Sequence, residues 1–280
     1  MKIKDVICAL ERFAPLPLQE DYDNAGLQVG LTEADVSGVL LCLDVTEQVV
    51  EEAVANDCNM IVAHHPLIFR KLAHVSDSNY VERCVVAAIK NDITIVAMHT
   101  NLDSTKGGVN YMIARKLGFI QDSIKPLDMR CIDGAEGSAG IIGELAEPIT
   151  ADAYIKKVKE IFKADCVMSN ELLERPIKKI ALCGGAGSFL LRQAMAAGAD
   201  AFLTGEMRYH EYFGFEQALQ ITVIGHYESE QYTKELLEEI INDNCPGIKT
   251  FISSINTNPI KYWQSNYKQR QKLYKQQINK

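Results

Sequence analysis

Short apolar runs alternating with amphipathic segments of about ten residues constrain this chain more than any other feature. Val39 to Val45, Met60 to Ala63 and Ile93 to Met98 are nearly unbroken hydrophobic stretches bounded by polar turns. Runs of that length predict strands buried on both faces, as in a largely parallel sheet. Helical patterns lie around and between them. Ile3 to Phe13 is amphipathic and stops at Pro15 and Pro17, and Thr46 is placed to cap Glu47 to Asn56. Ser78 to Asn91 is a third helix, and Val109 to Leu117 a fourth that closes on Gly118. Strand and helix in alternation predict βαβ units and an α/β fold.

The second half carries the same plan. Strands are predicted at Ile177 to Cys183, Ala201 to Thr204 and Ile221 to Gly225, and helices at Ser188 to Ala197, Tyr209 to Leu219 and Ser229 to Asn242. An offset of 141 residues lays Leu40-Leu41-Cys42 on Ala181-Leu182-Cys183 and His64-His65 on Gly205-Glu206; an offset of 127 lays His99 on His226 and Asp103 on Glu230. The expectation is one α/β unit present twice, with Ile120 to Glu174 joining the copies as a strand pair and a helix. Residues 1–125 would form the first domain, completed by 226–262, and residues 126–225 the second. A length of 280 residues suits two such units, because single cores stop growing near that size.

Charge and cysteine usage narrow the class. The chain carries −8 overall, yet Lys261 to Lys280 holds six basic residues and no acid, leaving 23 basic against 37 acidic residues over 1–260. An acidic body argues against a generally basic nucleic-acid-binding surface. The basic tail, 263–280, is expected to be a solvated terminus, with nucleic acid or a partner subunit as the other reading. None of the eight cysteines forms a C-x-x-C pair, and most lie in apolar runs, so they are expected to be reduced, buried and small. The N-terminus does not read as a secretory signal, and no run approaches the ~20 apolar residues of a membrane span, so a cytoplasmic location is expected.

The chemistry concentrates at predicted strand ends. Four of the six histidines, with two carboxylates, fall at the C-terminal ends of strands, the edge where open α/β sheets bind ligands. His64-His65 ends one strand, His99 to Asp103 follows another, and His226 to Glu230 follows a third. Adjacent histidines on an extended chain point opposite ways, which suits two neighbouring metals better than one. Four-residue spacing places His226 and Glu230 on one helical face. Each half thus offers a His-x-x-x-acid element, and two facing halves would supply a two-metal site with a bridging hydroxide as nucleophile. Imidazole and carboxylate donors suit Zn, Fe, Mn, Ni or Co. Gly184-Gly185-Ala186-Gly187-Ser188 reads as a tight strand-to-helix turn, with phosphate binding as the weaker alternative, and His74 as a solvated loop residue.

Six motifs in order carry a family resemblance. They are Tyr22-Asp23-Asn24-Ala25-Gly26-Leu27-Gln28-Val29-Gly30, Leu43-Asp44-Val45-Thr46, Ala63-His64-His65-Pro66-Leu67, His99-Thr100-Asn101-Leu102-Asp103, Thr204-Gly205-Glu206 with His210, and Gly225-His226 through Ser229-Glu230. The sequence from about Ile3 to Tyr262 resembles the GTP cyclohydrolase 1 type 2 homologues, the NIF-three-like proteins. That resemblance implies two similar α/β domains with a dinuclear metal site in the cleft between them, and a toroidal homohexamer. It also implies His64, His65, Asp103, His226 and Glu230 as ligands to two divalent ions. His99, Glu206 and His210 are the candidates for orienting ligands or moving protons. Tyr22 stands where the family usually has Trp, and the extra domain of longer members is absent.

The function expected from this set is a dinuclear-metal hydrolase of a small nucleotide-like or phosphorylated substrate. No residue identifies itself as a reader of guanine. The other reading, from a different class, is a metal-stabilised ring that acts as a binding or scaffold protein, associated with nucleic acid.

Overall fold

A computed structural model describes residues 1–263 and shows a mixed α/β fold with two main sheets. The first sheet contains β1 (Gly26–Val29), β2 (Val39–Cys42), β3 (Met60–Ala63) and β4 (Thr94–Ala97). The intervening chain adds a two-residue strand β5 (Lys125–Pro126), a hairpin of β6 (Arg130–Ile132) and β7 (Ala135–Gly137), the long β8 (Ile141–Ile149) and the short β9 (Met168–Ser169). The second half supplies β10 (Ile177–Cys183), β11 (Ala201–Thr204), β12 (Gln220–Val223) and finally β13 (Thr250–Ile252). The helices are α1 (Ile3–Phe13), α2 (Glu47–Ala55), α3 (Tyr80–Lys90), α4 (Thr100–Ser104), α5 (Val109–Leu117), α6 (Ala151–Ile161), α7 (Leu191–Ala196), α8 (His226–Glu230) and α9 (Thr233–Asn244).

Strand order in the first sheet is β1-β4-β3-β2-β13, parallel except for β1. In the second it is β5-β8-β10-β11-β12-β9, with β10, β11 and β12 parallel and antiparallel strands outside them. The apolar runs explain the layering. Alternation sends Val39, Leu41, Met60, Val62 and Val96 to one face of the first sheet, and Leu40, Cys42, Ile61 and Ile95 to the other. The outer face packs on α2 and α3 through Val49, Ala53, Cys84 and Ala88. The inner face joins Ile180, Leu182, Ala201 and Leu203 of the second sheet in one continuous core, filled by α1, α5, α6 and α9. Leu41 and Leu182, matched by the 141-residue offset, both face this shared layer, while Leu40 and Ala181 both face away from it. The far face of the second sheet is covered by α7 with Leu190 and Leu219.

Several elements differ from the sequence expectation. The segment expected to be a helix over Tyr209 to Leu219 forms only a 3-10 turn, Tyr209–Tyr212. Gly214 and Gln217 take positive φ just beyond it, which no helix accommodates. The long helix expected over Ser229 to Asn242 is two helices, α8 and α9, separated at Gln231 and Tyr232. Both side chains at the break donate to the end of α6: Gln231 Nε2 to the Phe162 carbonyl at 2.8 Å and Tyr232 Oη to the Ile161 carbonyl at 2.6 Å. Of Ser188 to Ala197, only Leu191–Ala196 is α-helical, after a 3-10 turn. The joining segment does more than join: besides a hairpin and a helix it supplies β5, β8 and β9, half of the second sheet. The run at β8 is interrupted by Gly143, Glu144 and Pro148, which hides it in the sequence.

Five cysteines are buried, as expected, but Cys8, Cys131 and Cys166 are exposed. Among the described residues no helix is long and apolar enough to cross a membrane. Residues 264–280, most of the basic tail, lie outside the described residues.

The shared inner layer makes a clear prediction. Leu182 is fully buried there, so Leu182→Ala should lower unfolding free energy by about 3 kcal/mol, from lost burial plus a cavity. The exposed Leu172→Ala should change it by less than about 0.5 kcal/mol. Urea titration of both variants, showing equal midpoints, would contradict a single core spanning the two sheets.

Candidate metal centre

Strand ends from both sheets converge on one carboxylate. The β3 ladder continues past Ala63, with the His64 amide donating to the Cys42 carbonyl at 3.2 Å and the His65 amide to the Leu43 carbonyl at 2.9 Å. That pairing fixes both imidazoles at the sheet edge, their ring centroids 4.9 Å apart. From the other sheet, β12 leads through Gly225 into α8, a single helical turn that carries His226 and Glu230 on one face. The buried Glu230 then stands between the two sets. Its Oε2 lies 3.0 Å from His65 Nε2 and 3.2 Å from His226 Nε2, and its Oε1 lies 3.8 Å from His64 Nε2. The adjacent histidines therefore face different oxygens of one carboxylate. Asp103 closes the group from α4, with Oδ1 3.6 Å from His64 Nε2.

The orientation of each ring is set from behind. His64 Nδ1 donates to the Met98 carbonyl at 2.8 Å, and His65 Nδ1 to Asp44 Oδ1 at 2.7 Å. His226 Nδ1 lies 3.2 Å from Glu206 Oε1. With Nδ1 turned to these acceptors, the three Nε2 atoms face the centre, the orientation that metal-binding imidazoles use. Asp44 is fixed in turn by Thr257, whose hydroxyl donates to Oδ2 at 2.5 Å. His99 has its own anchor, with Nδ1 donating to Asp23 Oδ1 at 2.7 Å and its ring centroid 5.4 Å from those of both His64 and His65.

Glycines make the approach of the two halves possible. Gly185 sits at φ +58°, and a Cβ there would lie 2.4 Å from Glu230 Oε1. Its carbonyl accepts from the Gly205 and Glu206 amides at 2.8 and 2.9 Å, and its amide donates to Ser229 Oγ at 3.0 Å. The Gly184 and Gly187 amides donate to Asn110 Oδ1 and Thr204 Oγ1, both at 2.9 Å. This glycine-rich turn therefore spends three of its amides inside the protein, as a tight turn rather than a phosphate cradle.

Electrostatically the cluster is suited to a cation. His64 Nε2 and Asp103 Oδ1 are buried and have no hydrogen-bond partner, a costly state for polar atoms. Burial opposes charge on His65, yet hydrogen bonds to Asp44 and Glu230 raise it to about 10; burial likewise opposes charge on His226, which Glu230 raises to about 9. His64 is lowered by burial, and Asp103 is pushed well above the usual carboxylate range by burial and by the charge of Glu230. Three imidazoles and two carboxylates with unsatisfied inward atoms fit divalent cations of the kind that take nitrogen and oxygen donors. Among the described residues, His64, His65 and Glu230 form the tightest such group, with donor atoms within 4.8 Å of one another.

Not every candidate arrives there. His210 is exposed, and its ring contacts are with Tyr209 and Phe213 rather than with the imidazole cluster. His74 is exposed, 3.6 Å from Glu82. Asp44, Asp23 and Thr257 were not singled out by the sequence. The two aspartates lie inside quoted motifs, where a carboxylate just past a strand was the available signal, whereas Thr257 carries none.

Asp23 gives a pH prediction. Burial opposes its ionisation, but hydrogen bonds from His99, Thr100 and the Asn24 amide hold it at about 2. A depressed carboxyl contributes stability above its unfolded value near 4, and that contribution disappears as pH falls through 2. Asp23→Asn should cost about 2 kcal/mol at pH 7 and flatten the stability profile between pH 4 and 2. Denaturation of both proteins across that range checks it; parallel profiles would contradict the role of Asp23.

Relatives place the chain. The sequence profile of Duf34/NIF3 (NGG1p interacting factor 3) matches residues 1–259. A protein of Clostridium perfringens, named GTP cyclohydrolase 1 type 2 homolog, is 37% identical over 255 residues, covering 91% of this chain and 96% of its own. One of the same name from Clostridium acetobutylicum is 32% identical over 268 residues, covering 94% and 99%. The crystal structure of a hypothetical protein from Staphylococcus aureus superposes with a TM-score of 0.85 at 28% identity, covering 94% of this chain and 99% of that one. With the family profile spanning nearly the whole sequence, this chain belongs to the Duf34/NIF3 family.

Proposed function

We propose that this protein is a hydrolase dependent on two divalent metal ions, held by His64, His65, Asp103, His226 and Glu230, and acting on a small nucleotide-like or phosphorylated substrate. The observation that carries the proposal is the pair of buried atoms without partners, His64 Nε2 and Asp103 Oδ1, facing Glu230. When bound, such ions lower the pKa of water and polarise the bond under attack. The chain's own residues prepare the rest. Asp44 and the Met98 carbonyl hold His65 and His64 in one tautomer. Asp23 holds His99 by Nδ1, leaving its Nε2 to give or take a proton in an adjoining cavity of about 230 Å3. Tyr22 and Phe189 line the same cavity. Two relatives named as GTP cyclohydrolase 1 type 2 homologs agree with a nucleotide-like substrate.

A second reading has support of its own. Glu230 comes from a helix following the second sheet, whereas His64 and His65 end a strand of the first, so ions bound here would brace the two sheets together. Metal binding would then be folding energy. The homohexamer expected from the family resemblance belongs to both readings.

His65→Ala separates them. For an enzyme, metal-dependent hydrolysis in a screen of GTP, phosphomonoesters and phosphodiesters should fall at least about 100-fold, in line with the loss of a ligand or its support. Thermal midpoint and light-scattering mass should persist. For a scaffold, the midpoint and the assembly should fall together. Less than one metal per chain by elemental analysis of the wild type, unchanged in the variant, would contradict both.

A further inference from the structure

A second, larger cavity adjoins the metal centre. It has a volume of about 560 Å3 and shares Ala186 and His226 with the smaller one, so His226 stands on the divide between them. Pockets of 300–1,000 Å3 are the range that holds small ligands. One part of its wall is apolar: Met168, Ile260 and Tyr262, all at least a third exposed. Another is charged. Glu206 faces His226 Nδ1, and Glu211 accepts from Ser188 Oγ at 3.1 Å and from the Arg208 amide at 2.7 Å, so both carboxylates are engaged. The Arg208 guanidinium, in the same wall, has no ion pair or hydrogen bond among the described residues.

We propose that this cavity is the substrate-binding chamber, and that it takes an amphipathic oxyanion: an apolar, planar body against Met168, Ile260 and Tyr262, and a phosphate or carboxylate on Arg208. The inference rests on the proposed hydrolase only for direction, since it turns the substrate's reacting end toward His226. Arg208 is suited to the anion because a guanidinium meets planar or tetrahedral oxyanions with two parallel donors. Lys would supply charge without that fork. The apolar wall supplies the area that lets an aryl or base moiety outbind the free anion. The C-terminal segment that contributes Ile260 and Tyr262 is pinned by Thr257 on Asp44 and by Asn258 on Glu228, at 2.5 and 3.0 Å. The chamber wall and the support of His65 thus belong to one stretch of chain.

Titration calorimetry of the full chain with phenyl phosphate, benzoate and inorganic phosphate tests this, with metal content measured on the same samples. Phenyl phosphate or benzoate should bind at least ten times more tightly than inorganic phosphate, and which of the two binds better identifies the anion. Arg208→Gln should weaken that binding at least tenfold with metal content unchanged. Arg208→Lys should recover part of it, which a merely unfolded variant would not. Equal affinity in the wild type and Arg208→Gln, no binding of either aryl anion, or no recovery in Arg208→Lys would overturn the chamber assignment. Absence of metal from the wild type with Arg208-dependent binding intact would instead refute the hydrolase reading and leave the chamber standing.

Discussion

A single buried carboxylate holds the centre of this molecule together. Glu230 lies between imidazoles of the first sheet and one on its own helix, within 3.0 to 3.8 Å of three Nε2 atoms. Burial alone would drive it to its neutral form, but hydrogen bonds with His226 and His65, and the charge of the nearby His64 imidazole, keep it well below the usual carboxylate range. Such a group is costly unless surrounded by positive charge or donors. The glycines follow from it: Gly185 is where a side chain would strike Glu230, and Gly225 takes φ +102° to turn β12 into α8. The shared hydrophobic layer is what brings the two sheets close enough for this contact.

Much of this is legible in the sequence, for physical reasons. Parallel strands buried on both faces leave unbroken apolar runs, so Val39 to Cys42, Met60 to Ala63 and Ala201 to Thr204 announce themselves. Ligand-type side chains just past such strands stand out because a chain with only six histidines has few to misplace. The family resemblance added the ligand set, and His64, His65, Asp103, His226 and Glu230 do converge. The failures are as informative. Tyr209 to Leu219 has helical periodicity, but Gly214 and the positive φ of Gln217 end the turn early and leave His210 outside. The residues joining the halves seemed a linker because β8 mixes glycine, proline and acids, which only its pairing with β10 makes a strand. Thr257 could not be found at all, since its role depends on a fold-back from 213 residues along the chain.

The arrangement also organises access. Four imidazoles have their Nδ1 atoms turned outward, three toward carboxylates and one toward a backbone carbonyl, so that chemistry is confined to the inward edge. Two cavities meet at His226, one lined by Tyr22, His99 and Phe189, the other by Arg208 and the C-terminal segment. The proposed cation site would therefore lie beside both cavities.

The most direct test is anomalous X-ray diffraction from crystals of the protein as purified, collected at metal absorption edges. Two anomalous peaks are expected in the cluster formed by His64, His65, Asp103, His226 and Glu230, the residues that would hold the ions. No anomalous peak in that cluster, or metal bound only elsewhere on the surface, would contradict a dinuclear centre.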